Sequence, residues 1–271
     1  MREHAYRSYG YRPSEMEHHY GANVHLLADP VLLTQLARLS RPETLQPEVN
    51  WLVRDLYESL VRVVMAAELP RREAEVRTRM FNANPNGVWR GSLLDPNTRV
   101  ITVAIARAGT QPSQIAFEAL TRLIDPSAVR QDHLYMSRTT GASGEVTGIS
   151  VAGSKLGGDV GGAIVLFPDP MGATGGSMAE AASIYRALDG GPSAKLIAVN
   201  LIVTPEYLRT LRDRHPDMIV YALRLDRGLS EAKILKTPLG SHWDDECGLN
   251  ERQYIVPGAG GLGEILNNSY V

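Results

Sequence analysis

The chain lacks several features that mark common classes of protein. Its 271 residues include one cysteine, Cys247, so an intrachain disulfide is impossible and a cysteine-rich zinc site is excluded. No apolar run approaches the roughly 18 residues that a membrane span requires. The first twenty residues are polar and charged where a signal peptide would be apolar. These absences favour a soluble, cytoplasmic protein.

Neither sign of charge is in excess, because 28 Lys and Arg face 30 Asp and Glu. A polyanion-binding surface is therefore not indicated, and nucleic acid is a weak candidate for a partner. The loop at 241–247 gathers His242, three acids and Cys247. Adjacent side chains on one short loop cannot all converge on a metal ion, so a solvated or subunit-contact insertion is the favoured interpretation.

What the chain has is an alternation of strand and helix patterns. Asp29 and Pro30 begin a helix, and a second amphipathic helix follows to about residue 69. Beyond a loop rich in Pro, Asn and Gly, the patterns predict strands at 99–106, near 132–136, 163–167, 194–203 and 217–225, and helices at 111–123, 177–188 and 205–216. This order predicts an α/β fold with a doubly wound, mainly parallel sheet. Residues 1–24 form an arm that is ordered by packing on the body or on a second subunit.

The turn after the strand at 163–167 carries the strongest chemical signal. Ser177 and Glu180 fit a capping box, which would begin a helix directly after Gly175 and Gly176. Free main-chain amides, a positive helix end and the hydroxyls of Thr174 and Ser177 would then suit a phosphate. The turn is not a Walker A loop, since no Gly-Lys-Ser/Thr follows. An ordinary strand-to-helix turn that uses Gly for tightness remains the alternative.

Three segments of the chain resemble the uracil phosphoribosyltransferase family. "PDPMGATGGS" at 168–177 looks like its phosphoribosyl-pyrophosphate loop, "ARAGT" at 106–110 looks like its Arg-Ala-Gly turn after an earlier strand, and "YIVPGAGGLGEIL" at 254–266 looks like its carboxyl-terminal loop. The last segment also satisfies G-x-G-x-x-G. Only eight residues follow Gly263, however, so the helix and strand of a dinucleotide-binding fold cannot fit.

The resemblance implies a type I phosphoribosyltransferase that transfers 5-phosphoribose from phosphoribosyl pyrophosphate to uracil, giving UMP and pyrophosphate. It implies catalytic roles for Arg107 and Asp169. It implies that the donor is bound by Arg107, Arg138, Asp169, Pro170, Met171, Gly172, Ala173, Thr174, Gly175, Gly176 and Ser177. It implies that the base is held by Met171, Ile255, Gly260, Gly261 and Leu262.

The resemblance also implies partners and a domain plan. Magnesium would arrive with the donor, so no metal site of the protein's own is expected, and the chain would form a homodimer or larger oligomer. We expect one domain over residues 1–271. Its parts are an arm and helices at 1–90, a core sheet at 91–229, and an insertion with a base-binding hood at 230–271. The glycine-rich span 137–162, which includes Lys155, is either a lid over the donor or a simple solvent loop.

Three positions depart from the family pattern. Gly261 stands where the family has an Asp that reaches toward ribose and pyrophosphate, and Gly172 stands where it has a bulky apolar residue. Met136 follows Tyr135 in place of an Arg, with Arg138 as a substitute two positions later. These departures leave two further hypotheses open: transfer to a different heterocyclic base, with a pocket that the two glycines enlarge or reshape, or a nucleotide-binding regulator without turnover.

Overall fold

The computed structural model describes residues 5–140 and 146–270, except for the side chains of 137–140 and 146–149. The helices are α1 (Pro30–Leu39), α2 (Glu48–Glu68), α3 (Thr110–Thr121), α4 (Gly176–Ala187), α5 (Pro205–Arg214) and α6 (Leu262–Ile265). The strands are β1 (Val24–Leu26), β2 (Arg71–Arg77), β3 (Val88–Leu94), β4 (Val100–Ala106), β5 (Val129–Thr140), β6 (Val146–Lys155), β7 (Ile164–Pro168), β8 (Met171–Gly172), β9 (Lys195–Val203) and β10 (Ile219–Leu225).

Eight of these strands form one sheet in the order β1-β10-β9-β7-β4-β5-β6, with β8 added to the end of β9. Every pairing is parallel except that of β5 with β6. The central strands are buried along almost their whole length, because helices cover both faces. The predicted doubly wound, mainly parallel α/β fold is confirmed.

The core lies in two layers, one on each face of the sheet. Helices α1, α2 and α3 cover one face, where Leu36, Leu56 and Ile115 are fully buried. Helices α4 and α5 cover the other face, where Ala182 and Tyr185 are buried. No helix in the described part of the chain is long and apolar enough to cross a membrane.

Two regions that the sequence analysis treated as loops contain strands. Strands β2 and β3 form an antiparallel ribbon outside the main sheet. Most of β2 is exposed, so it lacks the apolar alternation by which strands are recognised. Strand β6 lies within the glycine-rich span 137–162 and pairs with β5. That span therefore includes part of a β-hairpin, while residues 141–145 lie outside the described residues.

The amino-terminal arm and the insertion pack against each other. The Glu246 carboxylate is fully buried, where it accepts hydrogen bonds from the Tyr20 hydroxyl, the Arg227 guanidinium and the Gly240 amide. Burial, together with the hydrogen bond to Glu246, raises the pKa of Tyr20 well above its usual value. The interpretation of the 241–247 loop as solvated is wrong for Glu246, because this residue is buried and joins the arm to the body.

Candidate active site

A cavity of about 590 Å³ opens beyond the carboxyl ends of β4, β7 and β9. Ligands bind at this edge in open α/β sheets. Three segments that are far apart in sequence meet there: the turn after β4, the loop between β7 and α4, and a carboxyl-terminal loop that we call the hood, residues 253–264. The predicted site residues that line the cavity are Arg107, Asp169, Met171, Ala173, Thr174, Gly175, Ser177, Ile255, Gly260, Gly261 and Leu262.

The loop between β7 and α4 begins its helix differently from the capping-box prediction. Helix α4 starts at Gly176, and its N-cap is Gly175 with φ 81°, which is a left-handed conformation. A Cβ at Gly175 would lie 2.8 Å from Cβ of Thr210, so a side chain would meet both strain and a clash. Ser177 is not the cap, and the Glu180 carboxylate bonds Arg214 at 3.2 Å. The capping-box prediction is wrong.

Main-chain amides of this loop are available to a ligand. In the described part of the chain, the amides of Thr174, Gly175 and Ser177 have no hydrogen-bond acceptor. The neighbouring carbonyls of Ala173 and Thr174 are held by other groups, since they accept hydrogen bonds from the hydroxyls of Thr204 (2.6 Å) and Thr210 (2.7 Å). The loop thus combines unused donors with a positive helix end, an arrangement that suits a phosphate.

Asp169 follows β7 directly and is anchored through its main chain. Its amide donates to the Val199 carbonyl at 3.0 Å, and its carbonyl accepts from the Asn200 side-chain amide at 2.6 Å. Its carboxylate accepts from the Met171 amide at 3.1 Å. Burial, and then the charge of Asp169, raises the pKa of the Tyr207 phenol well above its usual value. The Asp169 carboxylate therefore lies near the neutral, buried phenol of Tyr207 on the cavity wall.

Arg107 leaves the end of β4 at the cavity mouth and is exposed. Its guanidinium donates from Nη1 to the carbonyl (3.1 Å) and the hydroxyl (3.0 Å) of Ser269. The fork of an Arg suits a pyrophosphate group. An anion that accepts hydrogen bonds from Nη1 of Arg107 must therefore displace Ser269.

The hood is held in place by an ion pair beneath it, in which Asp226 is buried and Arg224 is partly exposed. Arg224 and Asp226 form a bidentate pair with contacts of 2.7 and 2.8 Å. The Asp226 carboxylate accepts from the Gly258 amide at 2.7 Å, and Arg224 donates to the Gly258 carbonyl at 2.9 Å. Both main-chain polar groups of Gly258 are thus fixed by the side chains of Arg224, in β10, and of Asp226, the residue after it.

The main-chain groups of the hood are partly used within the hood itself. The Leu262 amide donates to the Gly260 carbonyl at 3.1 Å, and the Gly261 carbonyl accepts from the Glu264 amide at 2.9 Å. Among the described residues, the amides of Gly260 and Gly261 have no acceptor. These two amides are thus open to a ligand such as a base.

The chain matches a known protein family. The family model for uracil phosphoribosyltransferase matches residues 24–244, which is most of the chain. The chain belongs to the uracil phosphoribosyltransferase family. It is a phosphoribosyltransferase, and its substrates are phosphoribosyl pyrophosphate and a nucleobase.

Relatives in this family are similar over nearly their whole length. The uracil phosphoribosyltransferase of Dictyoglomus thermophilum is 28% identical over 237 residues, which cover 88% of this chain and 95% of the relative. That of Shouchella clausii is 30% identical over 243 residues, which cover 90% and 97%. A solved structure from Aquifex aeolicus has a TM-score of 0.68 at 21% identity, covering 92% of this chain and 99% of that one, and it supports the fold.

Three residues that the family pattern predicted for the donor site do not line the cavity, and a fourth cannot be placed. Pro170 is buried, and its carbonyl accepts from the amides of Leu201 and Ile202. Gly172 is buried, and Gly176 forms the first residue of α4. The side chain of Arg138 lies outside the described residues.

The space beside Gly172 is already filled. A Cβ there would lie 2.9 Å from Cγ1 of Val203 and 3.0 Å from two ring atoms of Tyr207. The Tyr207 ring, from α5, thus occupies the space into which a side chain at position 172 would extend. The hypothesis that Gly172 enlarges the pocket is wrong, since the pocket side of the loop gains no room.

Several cavity residues were missed by the sequence analysis. They are Asn200, Tyr207, Gln253, Tyr254 and Glu264. The Tyr207 hydroxyl donates to the Asn200 side-chain carbonyl at 3.0 Å, which fixes the Asn200 amide toward Asp169. Asn200 had a signal, because it is one polar residue inside an apolar strand. Tyr207 and Glu264 had none, since each stands in a helical pattern at an ordinary spacing.

Proposed function

We propose that the protein transfers 5-phosphoribose from phosphoribosyl pyrophosphate to uracil, giving UMP and pyrophosphate. The observation that carries this proposal is the meeting of the phosphate-binding loop, Arg107 and the hood around one cavity. Family membership supplies the reaction class. Relatives named for uracil, at 27–30% identity, support uracil as the acceptor.

Each segment has a role that its chemistry supports. The unpaired amides of Thr174, Gly175 and Ser177 bind the 5-phosphate, and Asp169 accepts hydrogen bonds from ribose hydroxyls. Arg107 binds the pyrophosphate and stabilises its charge as it leaves, in exchange for its contact with Ser269. The hood amides of Gly260 and Gly261 face the base. The work of the protein is mostly positioning and charge stabilisation, so no general base is assigned.

Magnesium belongs to this proposal as a companion of the donor. The cavity wall carries the carboxylates of Asp169 and Glu264, and carboxylate oxygens are ligands that Mg²⁺ prefers. Within the described ranges, no group of three or more His, Cys, Asp and Glu side chains is arranged to hold a metal ion. A bound Mg²⁺ would neutralise pyrophosphate charge. Chelation with EDTA should abolish transfer, and added Mg²⁺ should restore it.

A different acceptor base is the second candidate. The case for a different base is weaker than the sequence suggested, because the Tyr207 ring fills the space beside Gly172. Gly261 and Met136 remain as departures from the family pattern on the cavity wall. We further propose a homodimer, which light scattering of the purified chain would test.

The deciding experiment measures pyrophosphate release from phosphoribosyl pyrophosphate with a panel of nucleobases. We expect release with uracil and a UMP product. Release with another base alone would favour the second candidate, and release with none would contradict transfer. Arg107→Gln should reduce turnover at least tenfold, whereas the matched control Arg79→Gln, at an exposed position outside the cavity, should leave it unchanged.

A further inference from the structure

The backbone at Gly261 does not need glycine. Its φ of −82° and ψ of 75° lie on the side of the map that other residues adopt. A Cβ built there, however, would lie 2.7 Å from Oε2 and 3.3 Å from Cδ of Glu264. The Glu264 carboxyl group therefore lies where a side chain at 261 would begin, and it would have to move to admit one.

The Glu264 carboxylate faces the cavity without a protein partner. It lines the same cavity as Arg107 and Asp169 and is half-buried. Among the described residues it has no hydrogen bond and no ion pair. A carboxylate that is partly removed from water loses hydration, and that loss is recovered only when donors reach it. The position thus suits a ligand that brings hydrogen-bond donors.

The main chain around Glu264 is fixed, which orients the side chain. Its amide donates to the Gly261 carbonyl at 2.9 Å, and its carbonyl accepts from the Ser269 amide at 3.1 Å. Leu262 is buried and anchors the turn. At Gly263 a Cβ would lie 3.3 Å from Cβ of Ala108, so the hood rests against the residue after Arg107.

We infer that Glu264 binds the substrate phosphoribosyl pyrophosphate. Its carboxylate replaces the one that is absent at Gly261, three positions earlier in the chain. Its ligand is the ribose of the phosphoribosyl group, whose hydroxyls donate to the carboxylate. Pyrophosphate is disfavoured as the direct ligand, because two anions repel each other. This inference rests on the proposed function, since it assigns a residue to the same donor.

The first test measures binding of ribose 5-phosphate and of metal-free pyrophosphate by calorimetry. Glu264→Ala should weaken ribose 5-phosphate about tenfold, since it removes hydrogen bonds to a charged group. Pyrophosphate should bind equally well or more tightly. The control Glu231→Gln, at an exposed acid outside the cavity, should change neither affinity. Unchanged ribose 5-phosphate binding by Glu264→Ala, in a folded protein, would overturn the inference.

The second test is a double-mutant cycle between Gly261 and Glu264. Gly261→Asp alone should weaken ribose 5-phosphate binding for two reasons. The new Cβ would contact the Glu264 carboxylate and displace it, and the new Asp carboxylate would repel it. Gly261→Asp in the Glu264→Ala background should restore affinity, while Gly261→Asn in that background, which has the shape without the charge, should not.

The double-mutant cycle distinguishes a failure of the role given to Glu264 from a failure of the proposed function. Losses that simply add in the double variant would overturn the role of Glu264 while leaving the proposed function intact. Wild-type protein that bound neither ribose 5-phosphate nor phosphoribosyl pyrophosphate would instead overturn the proposed function, and the role of Glu264 with it. Thermal unfolding of every variant checks that each one is folded.

Discussion

The loop at 169–177, which we propose binds a phosphate, and the hood at 253–264 each carry a glycine where the resembled family has a side chain, with different physical results. At Gly172 the freed volume is buried and holds the ring of Tyr207, which comes from a different helix. At Gly261 the freed volume lies on the cavity wall and holds the carboxylate of Glu264, from the same loop. One exchange therefore concerns packing and the other concerns ligand chemistry.

The difference shows that a departure from a family pattern has no meaning until its surroundings are known. A buried glycine whose space is filled leaves the core dense and the site unchanged. A glycine on the cavity wall whose space is filled by a carboxylate leaves a charged group at the site, as Glu264 does beside Gly261. Stability measurements and binding measurements should thus respond differently in the two regions.

The largest expected effect is on stability, behind the phosphate-binding loop. Tyr207→Ala removes a buried ring and its bond to Asn200, so the free energy of unfolding should fall by about 3–5 kcal/mol. Urea denaturation would measure this. The hood counterpart, Glu264→Ala, should change it by no more than about 0.5 kcal/mol. Equal losses in the two variants would break the comparison.

The next effect is at the turn into α4. Gly175→Ala should lower the free energy of unfolding by about 2–4 kcal/mol, because it combines a left-handed backbone with overpacking against Thr210. It should also weaken ribose 5-phosphate binding. Gly10→Ala is the control, since no atom lies within 4 Å of a Cβ there. Unchanged phosphate affinity in the Gly175 variant would argue against a cradle of main-chain amides.

A smaller effect is expected where the hood joins the sheet. Asp226→Asn leaves Arg224 without its charged partner and weakens the bond to the Gly258 amide, at a cost of about 2 kcal/mol. Hydrogen exchange at Gly258 should accelerate, and exchange in α4 should not. Acceleration in both regions would show that the hood and the phosphate-binding loop are not independent.

The smallest effect is at the edge of the cavity. Ser269→Ala removes one of two acceptors that hold Arg107, in an exposed position. Pyrophosphate should then bind about twofold more tightly, since less is lost on displacing the residue. Calorimetry with pyrophosphate would measure it. Weaker binding would mean that Ser269 orients Arg107 for the anion instead of competing with it.

Much of the fold could be predicted because each strand and helix shows its own periodicity. The buried strands β4, β7 and β9 read as continuous apolar runs, and α2 shows its apolar stripe. Strands β2, β3 and β6 were not predicted. Most of β2 is exposed and carries no apolar alternation, while β3 and β6 lie in segments rich in glycine and polar residues that are typical of loops. The start of α4 was also misplaced, because a left-handed glycine replaced the side-chain cap.

The candidate site divides in the same way. The positions of Arg107, Asp169, 173–175 and Ser177 at the cavity could be predicted, because a ligand must meet main-chain amides and charges at the carboxyl ends of parallel strands. Asn200, Tyr207 and Glu264 could not, since their roles depend on which side chain reaches across a gap. The span of the proposed lid is in part an antiparallel hairpin, whose pairing with β5 is a tertiary contact.

By itself, the amino-acid sequence determined the alternation of strands and helices, the glycine-containing loop at the cavity, and the family. Such features are local, since they follow from periodicity, glycine and short motifs. Tertiary structure alone decided what fills the space at Gly172 and Gly261, and how Glu246 joins the arm to the insertion. The physical reason is that volume and charge are completed by neighbours brought together only in the folded chain.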